Sequence, residues 1–188
     1  MSNLENILIN TADFIKRYRF INSVKIKFTL GKYTDKFGFE SNLFNCENYK
    51  KIINLLEKCD KWDTKETSYN EKFKIEPGKV IDSLIITCNN GPYDIIVTAE
   101  TKKNVNVYIS DSFLNEEKIY KHKNHTFYIA KQCDNLNDKL YTASITLNIP
   151  KEYKDTYIAH SSLLKVQDLI QVCSEHQQEF MYTLFAKK

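Results

Sequence analysis

Arginine is almost missing from this chain: Arg17 and Arg19 stand against 25 lysines. Arginine clamps phosphate through two parallel N–H bonds, so a phosphate site built on several guanidinium forks is excluded. Glycine is scarce too, with 4 in 188 residues. That leaves no room for a loop that cradles phosphate in backbone N–H groups, and neither GxGxxG nor GxxxxGK[ST] occurs. GxSxG and HExxH are also absent, which removes the nucleophile elbow and the helix-borne zinc site. No run approaches the ~18 apolar residues of a membrane span, so no membrane partner is expected. Met1 to Glu5 lack a basic stretch leading into an apolar one, and no secretory leader is expected. Cys46, Cys59, Cys88, Cys133 and Cys173 are odd in number, far apart and never CxxC. They read as free thiols in a reducing compartment, hence a cytoplasmic setting.

What is present is the material of a folded domain. The chain is 42% hydrophobic with 12 Tyr and 11 Phe. With no repeat, linker or low-complexity segment, residues 1–188 read as a single domain: an N-terminal helix within 1–20, then a body over 21–188. A formal charge of +3 is too small by itself to predict a nucleic-acid partner. Few arginines beside many lysines, asparagines and isoleucines fit an AT-rich genome, as in many parasites, some bacteria and several large DNA viruses.

Leu4, Ile7, Leu8, Phe14, Ile15 and Tyr18 make residues 4–20 an amphipathic helix. Residues 23–30 alternate Val24, Ile26, Phe28 and Leu30 with Lys25, Lys27 and Thr29, the period of a half-buried strand. Residues 31–45 read as a loop. Asn45 caps a helix over 46–59 with Tyr49, Ile52, Ile53 and Leu56 on its inner stripe. A short strand at 72–75, a Pro77-Gly78 turn and strands at 80–88 and 93–100 follow, the last two joined by Asn89-Asn90-Gly91-Pro92. A strand at 105–110 and a hairpin of 125–132 with 140–149 complete a meander. A helix over 161–175 points Leu164, Leu169, Ile170 and Cys173 inward, and 179–186 supplies a final strand. The fold class is α+β, an antiparallel meander curling into a tunnel-like β-barrel with flanking helices.

Lys25 and Lys27 lie on one face, about 7 Å apart by strand geometry. They meet solvent as an unsticky sheet surface or, if the sheet closes, line a lumen that attracts phosphates or acidic peptides. Taken alone, the strand favours the solvated face. His122 and His125, with Cys133 beyond, have no zinc spacing and read as exposed histidines near a loop. Cys133 and Cys173 read as buried and inert thiols. Glu116-Glu117 reads as a solvated turn, and Phe37, Phe39, Phe44, Tyr108, Phe127, Tyr128 and Tyr141 as core.

Three segments carry a family resemblance. The first is Val24-Lys25-Ile26-Lys27-Phe28 with Thr29-Leu30-Gly31. The second is the Lys36-Phe37-Gly38-Phe39 loop with the helix Asn48 to Leu56, ahead of Trp62. The third is Tyr120 to Ile129, followed by Leu140-Tyr141-Thr142-Ala143-Ser144-Ile145-Thr146-Leu147. Their order resembles the triphosphate tunnel metalloenzymes, specifically the RNA 5′-triphosphatase domains of mRNA capping enzymes in large DNA viruses. In that family glutamates on the first and last strands hold a divalent metal. Here the first-strand positions are Lys25 and Lys27, and the last strand, Glu179 to Leu184, offers one carboxylate. Phosphate-binding arginines of the middle strands are replaced by His125, Tyr128 and neutral residues. Ammonium groups donate hydrogen bonds and accept none, so they cannot ligate a metal.

The resemblance therefore implies a tunnel fold with no catalytic residue, no metal ligand and no cofactor. Its expected role is a viral structural or interaction protein, with a protein partner in a virion or a transcription or capping assembly, in the host cytoplasm or the particle. Two alternatives stay open. One is a metal-dependent RNA 5′-triphosphatase using Glu76, Glu100 and Glu179. The other is a polyanion-binding module that presents Lys25, Lys27, Lys121 and Lys123 to RNA or polyphosphate.

Overall fold

The computed structural model describes residues 3–43, 45–70, 73–75, 79–88, 91–101, 106–108, 115–133, 139–149 and 152–174. Helix α1 (Asn3–Tyr18) leads into β1 (Val24–Thr34), the longest strand, and then the short β2 (Gly38–Glu40). Helix α2 (Cys46–Lys58) follows, then β3 (Thr64–Asn70), β4 (Phe73–Ile75), β5 (Val80–Ile86), β6 (Asp94–Thr101) and β7 (Asn106–Tyr108). Strands β8 (Asn115–His122), β9 (His125–Cys133) and β10 (Lys139–Leu147) precede helix α3 (Asp155–Cys173). Eight strands form one antiparallel sheet in the order β3-β8-β9-β10-β1-β6-β5, with β2 added to β1. Strands β4 and β7 pair separately, and among the described residues β3 and β5 remain the two ends of the path.

Alternation divides the sheet into two faces. One carries Ile26, Phe28 and Leu30 of β1, Ile95, Val97 and Ala99 of β6, Ala143 and Ile145 of β10, and Phe127 and Ile129 of β9, all buried. Against it pack Phe14 and Ile15 of α1, Ile52 and Leu56 of α2, and Ile158, Leu163, Val166 and Ile170 of α3. Helix α2 starts on Asn45, whose side chain accepts the Asn48 N–H at 2.7 Å. The indole N–H of Trp62 donates to the Leu56 carbonyl at 2.7 Å, closing its last turn. Tyr18 and Arg17, at the end of α1, both donate to Asp82 of β5.

The α+β meander with flanking helices is as expected; several boundaries are not. Helix α3 begins at Asp155 rather than 161, because Ile158, Ala159 and Ser162 continue its buried stripe. In that frame Leu163 points inward and Leu164 is 39% exposed, the reverse of the expected placement. Strand β1 runs on to Thr34 and turns back into β2, where a loop was expected. Strand β3 and the full length of β8 went unanticipated, β3 lacking an aliphatic alternation and β8 carrying charges on both faces. Phe37 is 66% exposed rather than core. The expected strand at 179–186, the Pro77-Gly78 turn and Phe44 lie outside the described residues.

Candidate functional site

The face turned away from the helices carries the chemistry. Pairing of β1 with β6 sets Lys25 against Glu100, Lys27 against Thr98, Thr29 against Ile96 and Gly31 against Asp94. Toward the other edge, Lys27 continues through Thr146 of β10 and Thr126 of β9 to Lys121 of β8. Thr29 continues through Ser144 and Tyr128 to Ile119 and Glu66. Glu117, two residues from Ile119, stands on the same face beside Ala130 and Ser68.

This face is concave. Lys27 and Glu117 are three strands apart and four residues out of row, so a flat sheet would hold their Cα atoms roughly 20 Å apart. Yet the Lys27 ammonium acts on the Glu117 carboxyl, in keeping with a curled sheet. Thr29, Thr98 and Ser144 are 7, 5 and 7% exposed, although the helices lie on the opposite side. At one end, β2 crosses the concave face: a Cβ on Gly31 would overlap the Glu40 carbonyl oxygen and lie 2.6 Å from the Phe39 ring. The absent side chain is what lets the hairpin fold over.

The electrostatics are mixed rather than strongly basic. Burial pushes the Glu117 carboxyl above the usual carboxylate range, and Lys27 opposes that rise. The Tyr128 hydroxyl is pushed up by burial, with Glu117 and Glu66 adding to it. Glu100 accepts a hydrogen bond from Thr98 Oγ1 at 2.8 Å. Around these groups stands a hydroxyl lining of Thr29, Thr98, Thr126, Thr142, Ser144 and Thr146, whose alternation follows from the pairing.

Of the four lysines proposed to bind a polyanion, Lys25, Lys27 and Lys121 share the concave face, with Lys25 and Lys121 exposed and Lys27 partly buried. Lys123 does not join them: it sits in the β8–β9 turn at φ 50°, its N–H held by Asp63 at 2.6 Å. Glu116 and Glu117 do not form a solvated turn. They are consecutive strand residues, so only Glu117 faces the concavity. His125 is not exposed either, being buried on the helix side at 4% exposure. Cys173 is buried, its thiol pushed up to about 12 by loss of water; the Cys133 side chain lies outside the described residues. Sequence reasoning missed Glu117 and the hydroxyl row; Tyr128, expected as core and also at a position of the family's phosphate-binding arginines, lies on the concave face, whereas His125, expected at the other such position, does not. Thr142-x-Ser144-x-Thr146 was the legible signal for the hydroxyl row.

No family model matches the chain, and no curated protein matches it either. Two solved structures are similar in fold. One is the S. pombe Pct1 RNA triphosphatase in complex with the Spt5 CTD, at TM-score 0.68 and 11% identity, covering 90% of this chain and 95% of that one. The other is S. pombe Pct1 RNA triphosphatase alone, at TM-score 0.65 and 11% identity, covering 87% and 91%. At that identity the likeness shows the fold: an antiparallel, tunnel-like sheet with flanking helices.

Such a fold implies a divalent metal, and the residues here fit one poorly. Among the described residues, no three His, Cys, Asp or Glu side chains gather closely enough to hold an ion. The central strand presents Lys25 and Lys27 to the concavity, and an ammonium has no lone pair to offer. Of the alternative carboxylates, Glu100 lies on this face, whereas Glu76 and Glu179 lie outside the described residues.

Proposed function

We propose that this chain is a non-catalytic protein that uses an RNA triphosphatase-type fold as a structural or interaction module. The observation that supports it best is the pair Lys25 and Lys27 on the concave face of the central strand, with Lys27 acting on the partly buried carboxyl of Glu117. The ammonium supplies positive charge inside the concavity without the ligand exchange and Lewis acidity of a metal ion. A partner protein in a transcription or capping assembly, or in a virion, is the proposed context, in the cytoplasm or the particle. The neighbouring Pct1 fold binding the Spt5 CTD supports a peptide segment of such a partner as ligand. Purification of the full chain from its natural setting should return it in fixed stoichiometry with that assembly. Recovery of the chain by itself, with metal-dependent phosphate release from triphosphorylated RNA, would contradict the proposal.

A second reading, polyanion binding, is favoured by Lys25, Lys27 and Lys121 sharing one face. It predicts that polyphosphate affinity falls steeply with salt and weakens on Lys27→Gln, while Lys123→Gln changes it little. Glu66 and Glu117 on the same wall act against it.

A further inference from the structure

We propose that the turn between α1 and β1, with the start of α3 beside it, seats on an anionic lipid surface. Its apolar members are exposed and contiguous: Phe20 is 63% and Tyr157 58% exposed, with Ile21 and Tyr153 exposed between them. Arg19 joins the two halves. Its buried side chain packs on the Phe20 ring at 4.8 Å, donates to the Tyr153 carbonyl at 2.7 Å and pairs with Asp155, the first residue of α3. The Ile21 N–H donates to the Tyr18 carbonyl at 3.1 Å, and the Val24 N–H to that of Ile21 at 2.9 Å, which tightens the turn. A built framework therefore holds these side chains out in water. A cluster of exposed apolar side chains inside a polar rim marks an interaction surface.

Charge singles out the occupant. Residues 16–25 carry Lys16, Arg17, Arg19 and Lys25 and no acid, while 152–157 carry Lys154 against Glu152 and Asp155. Five cations against two acids leave an excess of three, equal to the formal charge of the whole chain. Asp82 of β5 pairs with Arg17, and Asp13 lies about two turns back from Phe20 along α1. Lys16 is exposed one turn before Phe20, and Lys154 is exposed next to Tyr153. A basic rim around aromatic and aliphatic tips matches a surface that is anionic outside and hydrocarbon within. Tyrosine suits that boundary, with its ring in the apolar layer and its hydroxyl among the headgroups. No spanning segment is needed for such a contact. A single-stranded nucleic acid would also meet the lysines, but it stacks its bases on open ring faces. Here Arg19 covers one face of Phe20, and Tyr153 and Tyr157 cover each other at 5.5 Å and 22°. Both arginines are already paired with carboxylates, and Ile21 offers a base no ring at all.

Co-sedimentation of the full chain with lipid vesicles tests this. Phosphatidylcholine vesicles containing about 30% phosphatidylserine should bind it roughly tenfold more tightly than phosphatidylcholine alone. Raising salt from about 0.1 to about 0.5 M should remove most of that gain. Phe20→Ser should weaken binding by about tenfold or more, and Lys154→Gln by about fivefold. Phe37→Ser, which removes an exposed ring from the β1–β2 turn, should leave it unchanged. If Phe20→Ser does not fold, Ile21→Ser reads the same contact and should weaken binding about fivefold. Equal binding to the two kinds of vesicle, or an equal loss in Phe20→Ser and Phe37→Ser, would overturn the proposal. So would oligouridylate binding that displaces the vesicles and is lost in Phe20→Ser, which would assign the surface to nucleic acid. Self-association of the chain lost in Phe20→Ser, with no vesicle binding, would assign it to a second copy and overturn the proposal as well.

Discussion

A glycine at position 31 matters for what its missing side chain admits. Alternation along β1 would point a side chain there into the concavity, where the Glu40 carbonyl and the Phe39 ring of β2 already stand. Gly31→Ala should cost about 1–3 kcal/mol and loosen the β1–β2 hairpin, since backbone yields less readily than a flexible side chain. Denaturant unfolding measures the loss, and a fully stable variant would mean that β2 stands clear of the face. The Lys27–Glu117 interaction makes a second test at this scale. Because Lys27 holds the Glu117 carboxyl lower than burial alone would, Lys27→Met should raise its pKa further, as read by carbon-13 NMR of the carboxyl. An unmoved titration would mean that the Lys27 ammonium and the Glu117 carboxyl do not meet across the concavity. Little of this was legible beforehand. The lysine positions on β1 follow directly from alternation, but Glu117 sits in Asn115 to Lys121, where charged residues occupy both faces and hide the period. His125 resembles any loop-edge histidine until α3 is brought over it.

Helix ends show how far local chemistry sets the elements. Helix α2 has both an interior stripe and a side-chain cap, so its span was readable: Asn45→Ala should cost about 1 kcal/mol, measured by urea or thermal unfolding. Helix α3 has no such marker. Lys154 occupies its N-cap position without a side-chain hydrogen bond, and a cation there opposes the helix dipole. Lys154→Ser should therefore stabilise the protein by about 0.5–1 kcal/mol, and a loss of stability would contradict the assignment of that boundary. The missing cap also explains why the start of α3 was read six residues late: only tertiary packing of Ile158 and Ala159 declares it. The hairpins were legible for the opposite reason. Strands β5 and β6, and β9 and β10, have apolar alternation on both sides of polar connections, and each pair is antiparallel as expected. Strands β3 and β8 bury less, and their pairing is visible only in the folded sheet.

Across the whole molecule, helices cover one face of the sheet and leave the other curled around hydroxyls, lysines and partly buried carboxylates. Among the described residues no helix is long and apolar enough to cross a membrane. The order of elements in the sequence was enough to suggest a tunnel-like sheet, and the likeness to Pct1 supports that fold at 11% identity. The contents of the concavity could not be read the same way. They depend on register across four strands and on curvature, neither of which a single strand encodes. The proposed function holds that Lys25 and Lys27 on β1, which offer a metal no lone pair, leave this chain without hydrolytic chemistry. Its most direct test is phosphate release from 5′-triphosphorylated RNA by the full chain, with magnesium or manganese supplied. The account predicts a rate indistinguishable from the protein-free reaction with either metal. Metal-dependent release that is abolished by Glu117→Gln or Glu100→Gln would contradict it.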